Sequence, residues 1–336
     1  MIRLVRNWWV FWVTLFDRKE SATTWALYRI AVAACVLLSL GLIRGAGMLD
    51  ILWVSKPYGG YLTLGEVPML WFHLGPATVT TVHALWAVAI VGAVALLLGV
   101  GGRVTAFCTL QAYLALTRLN HDTIGGHDCL ISNALWLLVL CDGSKTLSLG
   151  CWWRTRRFTS NARISAWPRY MAVFQLVVVY TWTGLQKVSP TWFAVGDFSA
   201  LYYVFQDPTW RRYNLSWTAF VYPLTQLGTI VTWFFEAGAW LLLPFFYYRY
   251  TRDRGGRLRA LFNRWDIRKP FTDIGVALHL GIAILLDVGA FSWITLSYYF
   301  CLWGPEEIER LYASLTRRVV STRAPASSAL GSRAKL

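Results

Sequence analysis

Long apolar runs alternate with short polar connections along most of this chain. A membrane helix needs about 20 mostly apolar residues, and seven runs approach or exceed that length. We predict spans at 25–43, 79–100, 104–119, 128–141, 168–187, 216–246 and 271–300. The sixth should be one long tilted helix or break near Pro223 or Pro244, and the seventh should hold a helix to about Val288 and then a shorter pass. The pattern predicts an all-α integral membrane protein, a polytopic bundle of about 7–8 transmembrane helices.

Composition supports the membrane class. Apolar residues make up 56% of the 336 residues and charged residues 15%, whereas soluble domains have about 25% charged residues. This excludes a soluble globular domain, a disordered chain and a disulfide scaffold. The six cysteines show no zinc spacing, so we predict no metal site.

The positive charges indicate an orientation. Of the 32 lysines and arginines, 25 lie before residue 25, at Arg103, or within 142–169, 248–270 and 303–336. These stretches alternate along the chain with 44–78, Arg118 and 187–215, which hold 6. The positive-inside rule places the richer set in the cytoplasm. We therefore predict a multi-pass protein of the plasma (inner) membrane with both termini cytoplasmic, and the lipid bilayer rather than nucleic acid as its partner.

Three parts follow from these patterns. Residues 1–24 should form a cytoplasmic or interfacial helix, because Leu4, Trp8, Trp12 and Leu15 recur at helical spacing. Residues 25–302 should form the multi-pass membrane domain. Residues 303–336 should form a basic cytoplasmic tail, disordered from Ser321 because it is rich in Ala, Ser and Arg.

Ionisable groups at membrane depth are costly and mark candidate sites. Lys187 follows Tyr180 and Thr183 on one helical face. Its amine could snorkel to the interface, or it could be desolvated and act as a base. Asp287 is a candidate partner that would hold this lysine charged or orient it.

Other polar residues carry open alternatives. His127 and Asp128 follow His121 and Asp122 in a spacing that matches no strong zinc signature; His127 could be a loop histidine or a proton shuttle. His279 is expected to hydrogen-bond across helices. Arg29 and Glu236 could form a structural ion pair inside the bundle, and His83 is expected to be structural.

Three stretches together resemble a known family. They are GGHDCLISNALWLLVLCDGSKTLSLG (125–150), WPRYMAVFQLVVVYTWTGLQKVSPTWFAVGDFSALYYVF (167–205) and ALHLGIAILLDVGAFSWITLSYYFCLWGPEEIERL (277–311). They are similar to the membrane domain of vitamin K-dependent γ-carboxylases, and more closely to the bacterial HTTM (horizontally transferred transmembrane) proteins. WALYRIAVAACVLLSLGL (25–42), which includes Arg29, also fits.

The resemblance implies a quinol-dependent enzyme acting at the extracytoplasmic membrane face. By the matching motif, Lys187 would be the base that deprotonates a reduced menaquinone or vitamin K-type quinol, with His127 and His279 as further catalytic residues. The chemistry would be that of a carboxylase-like or quinol epoxidase-like lyase or oxidoreductase. The implied substrate pocket holds Asp128, Tyr180, Thr183, Asp287 and Trp192.

Two departures from the carboxylases leave an alternative open. The chain lacks the long extracytoplasmic domain that follows their membrane part, and Gln186 precedes Lys187 where they have a lysine pair. The alternative is a non-catalytic membrane component that assists maturation or export of a secreted peptide, or a membrane partner, with Lys187 as an anchor.

Overall fold

The computed structural model describes residues 2–62 and 75–323. The described part of the chain is helical apart from its loops and one small sheet. The longer helices are α1 (Ile2–Asp17), α2 (Thr23–Gly45), α4 (Val79–Leu98), α5 (Gly102–Thr117), α6 (Gly126–Leu140), α8 (Trp167–Leu185), α10 (Tyr222–Ala237), α13 (Arg268–Leu285) and α15 (Pro305–Arg323). The shorter ones are α3 (Leu49–Trp53), α7 (Leu149–Thr155), α9 (Ala200–Gln206), α11 (Leu242–Tyr250), α12 (Arg257–Arg264) and α14 (Phe291–Tyr299).

Two helices in the described ranges, α2 and α4, are long and apolar enough to cross a membrane. The 216–250 pair adds a third if its two bent halves form one span. The all-α prediction is confirmed for the described residues apart from the small sheet, and the number of 7–8 crossings stays a prediction. Helix α4 ends where Gly99 adopts a left-handed conformation at φ 70°, which glycine enters without steric cost.

The predicted sixth span is broken, but not at a proline. Its two halves meet at Gly238 with a bend of 42°. Pro223 and Pro244 instead lie in the first turns of α10 and α11, where a missing N–H costs no helical hydrogen bond. Both proposed break points were therefore wrong. The seventh run also divides, since α13 ends at Leu285 and α14 begins at Phe291.

The ends of several helices and strands meet at one end of the helix bundle. Strand β1 (Lys19–Ser21) pairs antiparallel with β2 (Arg163–Ser165), and Thr24 Oγ1 donates to the Trp303 carbonyl at 3.3 Å. The Trp25 indole donates to the Cys141 carbonyl at 3.0 Å. We call this end of the bundle the basic end, because the lysine- and arginine-rich stretches of the chain border these contacts.

A buried ion pair fixes the basic end. Arg169 at the start of α8 donates two bonds of 2.8 Å to the Glu20 carboxylate, and a third to the Cys301 carbonyl at 3.1 Å. Both side chains are at most 10% exposed. Their hydrogen bonds offset the cost of burying charge.

The opposite end is covered by residues 188–221, which carry α9 and short 3₁₀ turns. Arg212 N donates to the Leu285 carbonyl at 3.0 Å, and Asp287 N donates to the Trp210 carbonyl at 2.7 Å. This segment therefore packs on the end of α13 and encloses the space beyond Lys187.

The two terminal helices lie against the bundle. Leu15 of α1 is buried, and the Trp8 ring lies 4.8 Å from that of Tyr247 on α11, while Trp9 is 69% exposed. Helix α15 extends to Arg323, so disorder was wrongly predicted for 321–323. The rest of the predicted disordered tail, 324–336, lies outside the described residues.

Candidate functional site

Lys187 follows the last turn of α8, and its amine is enclosed. Its Nζ forms an ion pair with the Glu236 carboxylate from α10. The same atom lies 3.5 Å from the Thr183 carbonyl and 4.9 Å from the centre of the Trp192 ring. The lysine side chain is 18% exposed. The predicted neighbours Thr183 and Trp192 are therefore in contact with the amine.

Gly184 permits this ion pair. A Cβ atom built on Gly184 would lie 2.8 Å from Ala237 Cα and from the Glu236 carbonyl carbon, and closer still to Ala237 N. No side chain could occupy that space, so a glycine is what lets α10 approach α8 here. The Gly-x-x-Lys sequence thus has a packing explanation: the glycine brings the carboxylate within reach of the lysine three residues later.

A buried hydrogen-bond network lies deeper on the same face of α8. The Tyr180 hydroxyl bonds to His279 Nε2 at 2.6 Å and to the Tyr299 hydroxyl at 2.7 Å. The Glu236 carboxylate lies near enough to interact electrostatically with both tyrosines. His279 Nδ1 is buried and has no hydrogen-bond partner in the described ranges. These groups could pass a proton between them.

Gly275 makes room for this network in α13. A Cβ atom there would lie 2.6 Å from the Tyr299 ring carbon Cζ and would collide with its hydroxyl oxygen. The tyrosine therefore extends across the face of α13 toward Tyr180. The cross-helix bond expected of His279 is present, with Tyr180 as its partner.

An apolar cavity of about 920 Å³ adjoins the network. Helices α2, α13 and α14 form most of its wall, and its lining includes Ala31, Leu38, Val276, Trp293, Phe300 and Tyr299. This volume is in the usual range for a small-molecule site. Tyr299 thus joins an apolar chamber to the polar network.

His127 lies in a different cluster. Its Nε2 is 3.6 Å from Asp128 Oδ1, and that carboxylate accepts bonds from the Tyr113 hydroxyl at 2.6 Å and from Gly125 N at 2.8 Å. Asp128 thereby caps the start of α6. Both residues line a cavity of about 210 Å³ that neither Lys187 nor His279 lines.

The three residues expected to share one pocket are thus divided. The Phe291 ring lies 5.7 Å from that of His279, and its nearest atom lies 3.7 Å from a Cβ built on Gly126, the residue before His127. Glu236 pairs with Lys187 and lies within electrostatic range of Tyr180, which bonds to His279, whereas His127 lies beside Asp128.

Two predicted pairings were wrong. Glu236 pairs with Lys187 and not with Arg29, which donates to the Gly143 and Leu147 carbonyls at 2.9 and 2.7 Å. The reason is distance along the bundle, since Arg29 lies at the basic end. Asp287 is not the partner of Lys187: its side chain is 73% exposed and lies 3.5 Å from Arg212 Nη2.

His83 forms a bond of 2.7 Å with Asp50 and is only partly buried. Across the described ranges, no group of three or more histidine, cysteine, aspartate or glutamate side chains is placed to hold a metal ion.

Glu236 as the lysine's partner, Tyr299 and Gly275 are the functional candidates that the sequence did not reveal. A signal for the first was available. Lys187 and Glu236 both interrupt apolar segments, and a charge at membrane depth requires a partner. Neither apolar periodicity nor spacing singles out Tyr299 or Gly275.

Comparison with known proteins agrees with this fold. The family model of the HTTM domain matches residues 17–263, a region that contains His127, Lys187 and Glu236 and ends before His279. No solved structure matches the chain at a significant level. The chain therefore belongs to the HTTM domain family, membrane proteins related to the membrane domain of vitamin K-dependent γ-carboxylases.

Proposed function

We propose that this protein is a membrane enzyme that removes a proton from the hydroxyl of a lipid-soluble quinol, with Lys187 as the base. One observation carries the proposal. The enclosed Lys187–Glu236 pair lies beside a buried network of Tyr180, His279 and Tyr299 that borders an apolar cavity. Such a combination suits an apolar substrate with one acidic hydroxyl.

The ion pair determines how the base works. An ammonium cannot accept a proton, so Lys187 must pass its own proton to Glu236 as it takes one from the quinol. The step leaves a quinolate anion, a lysine ammonium and a neutral Glu236 carboxylic acid; two protons move, and the net transfer is one proton from the quinol to Glu236. The Trp192 ring at 4.9 Å stabilises the ammonium.

The chamber suits a menaquinol or vitamin K-type quinol. Its lining is apolar around Tyr299, whose hydroxyl bonds to that of Tyr180, and includes Lys269, Asp273 and Glu307 toward the basic end. A quinol ring and tail would be kept from water there, which protects a reactive anion. Oxygen would then convert the quinol to its epoxide and water, one O₂ for each epoxide. We place the proton transfer at Lys187, on the extracytoplasmic side and away from the basic end, toward which the chamber extends.

The test is oxygen uptake and epoxide formation by purified protein given reduced vitamin K-type quinol. Wild type should turn over, and Lys187→Met should lose activity while keeping its helical content. Lys56→Met is the matched control, because Lys56 is an exposed lysine outside the site. Turnover by Lys187→Met equal to that of wild type would overturn the assignment.

Two further variants separate the base from an anchor. An anchoring lysine would tolerate Lys187→Arg, because arginine keeps the charge, whereas the base would not. Glu236→Gln should lose turnover, because the amide that replaces the carboxylate cannot take up the lysine's proton. No turnover by folded wild type in accessible quinol would favour the non-catalytic role in peptide maturation or export.

A further inference from the structure

A second cavity lies at the basic end, far from Lys187. It has a volume of about 610 Å³ and lies between the α4–α5 turn and the loop that joins α6 to α7. Four glycines and the cationic side chains of Arg103, Lys145 and Arg154 contribute to its lining. Nothing in the proposed quinol chemistry uses it.

Among the side chains that line this cavity, the cationic ones outnumber the acidic ones. Asp142 is the one acidic residue in the lining, and it is already bound: Oδ1 accepts from Ser144 N and Oγ at 2.8 and 2.6 Å, and Lys145 Nζ lies 3.2 Å from Oδ2. Burial acts to raise the pKa of Asp142, but the Ser144 and Lys145 hydrogen bonds hold it below its usual range. One negative charge therefore faces three positive ones.

Two arginines at this cavity have unused donors. Arg103 makes no hydrogen bond or ion pair within the described ranges. Arg154 Nη2 donates to the Ser144 carbonyl at 3.0 Å, which leaves most of its five donors available. Beneath the wall, Arg29 is 1% exposed, and its Nε has no partner among the described residues. Planar guanidinium groups bind phosphate oxygens in pairs.

The backbone keeps the cavity open. Gly99, Gly101 and Gly102 have φ angles of 70°, 75° and 53°, values that other residues adopt at a cost. A Cβ on Gly102 would lie 2.9 Å from Asp142 Oδ1. Side chains at these positions would strain the turn or crowd the space where an anion could bind.

Apolar side chains beside the cavity indicate where the anion comes from. Val104 of α5 is 71% exposed and Trp153 of α7 is 55% exposed, and both contribute to the lining. Phe107, one turn further along α5, is 46% exposed. Exposed apolar groups that border a cluster of cations are typical of a membrane–water boundary.

We propose that this cavity binds the phosphate of an anionic phospholipid headgroup, with Arg103 and Arg154 as its principal ligands. The acyl chains lie along the exposed apolar face of α5. Attraction to anionic lipid adds to the burial of apolar surface at such a position. The site is independent of the quinol chemistry, because it lies at the opposite end of α8.

The experiment uses the full chain purified in detergent. Native mass spectrometry would follow binding of phosphatidylglycerol and phosphatidylcholine. We expect phosphatidylglycerol to bind more tightly, and Arg103→Gln to weaken it about tenfold, the effect of losing one charge-assisted hydrogen bond. Arg157→Gln removes the same charge from an exposed position outside the lining and should change affinity less than about twofold.

Inorganic phosphate is the third ligand tested, after the two lipids. Displacement of phosphatidylglycerol by millimolar phosphate would support recognition of the phosphate group. Binding of inorganic phosphate without binding of the lipid would overturn the lipid assignment. Equal binding of both lipids, or an unchanged affinity in Arg103→Gln, would overturn the site. Because Arg103 makes no bond to the rest of the described chain, its replacement should leave the fold and the oxygen uptake unchanged.

Discussion

Replacement of Gly184 by alanine tests how the helices bring Lys187 and Glu236 together. The added methyl group would lie 2.8 Å from Ala237 Cα, whereas carbon atoms pack at about 3.5–4.0 Å. Helix α10 would have to move away by at least about 0.7 Å, because Ala237 N lies closer still. The neighbouring atoms belong to the backbone of α10, so no rotation of a side chain can relieve the clash.

The size of the effect follows from two opposing contributions. Alanine is favoured over glycine by about 1 kcal/mol in a helix interior. Overpacking a close helix contact costs about 1–3 kcal/mol. Gly281→Ala on α13 is the matched control, because nothing lies within 4 Å of its built Cβ. We expect Gly281→Ala to hold or gain stability and Gly184→Ala to be less stable than it by about 1–3 kcal/mol, because the alanine propensity is common to both variants and only the overpacking differs.

The assay is thermal unfolding in detergent, followed by helical circular dichroism, with oxygen uptake measured on the same samples. Gly184→Ala should unfold at lower temperature and lose turnover, because the ion pair is stretched. Gly281→Ala should retain both. If Gly184→Ala were as stable and as active as Gly281→Ala, α10 would not depend on the close approach, and the packing explanation of Gly-x-x-Lys would fail.

Two other predictions concern the basic end. Arg169→Met should destabilise the protein by about 3–5 kcal/mol, because it leaves Glu20 buried and unpaired, and Arg169→Met with Glu20→Met should restore most of that loss in denaturant unfolding. Arg268 donates bonds of 2.9 and 2.7 Å to Glu307; burial opposes them, but these bonds hold the pKa of Glu307 below its usual range. The stability from this pair is complete above about pH 4.3 and is lost as pH falls further. The protection of α15 amides, corrected for the intrinsic exchange rate at each pH, should therefore fall on acidification, and Glu307→Gln should reduce that dependence.

The sequence predicts helices well where apolar runs end at residues that stop them. The observed α2 begins within two residues of the predicted span, and α4 ends at the left-handed Gly99. The sixth run shows the limit of this approach. Its prolines suggested the break, yet a proline in a first turn fits a helix. The break at Gly238 depends on how α10 and α11 pack, and the hydropathy pattern carries no information about that packing.

The candidate site, like the fold, could be predicted from the sequence only in part. Lys187 and Glu236 were both recognisable as charges inside apolar segments, because burying them unpaired would be costly. Their pairing was not, since 49 residues separate them and Arg29 was an equally plausible partner by charge alone. His127 matched the family pattern, but only the structure shows that it lines a separate cavity together with Asp128.

The partner of Lys187 changes what the family resemblance implies. In the carboxylases a lysine pair occupies this motif, and a neighbouring cation favours a neutral amine, the form that accepts a proton. Here Gln186 replaces one lysine, and Lys187 pairs with the Glu236 carboxylate instead. A base of this kind works only if the carboxylate receives the lysine's proton. The glutamate is therefore either the proton sink that makes catalysis possible or the anchor that prevents it. Gly184 lets α10 approach so closely that the Glu236 carboxylate is held against the amine, so Glu236 must affect the reaction in one of these two ways.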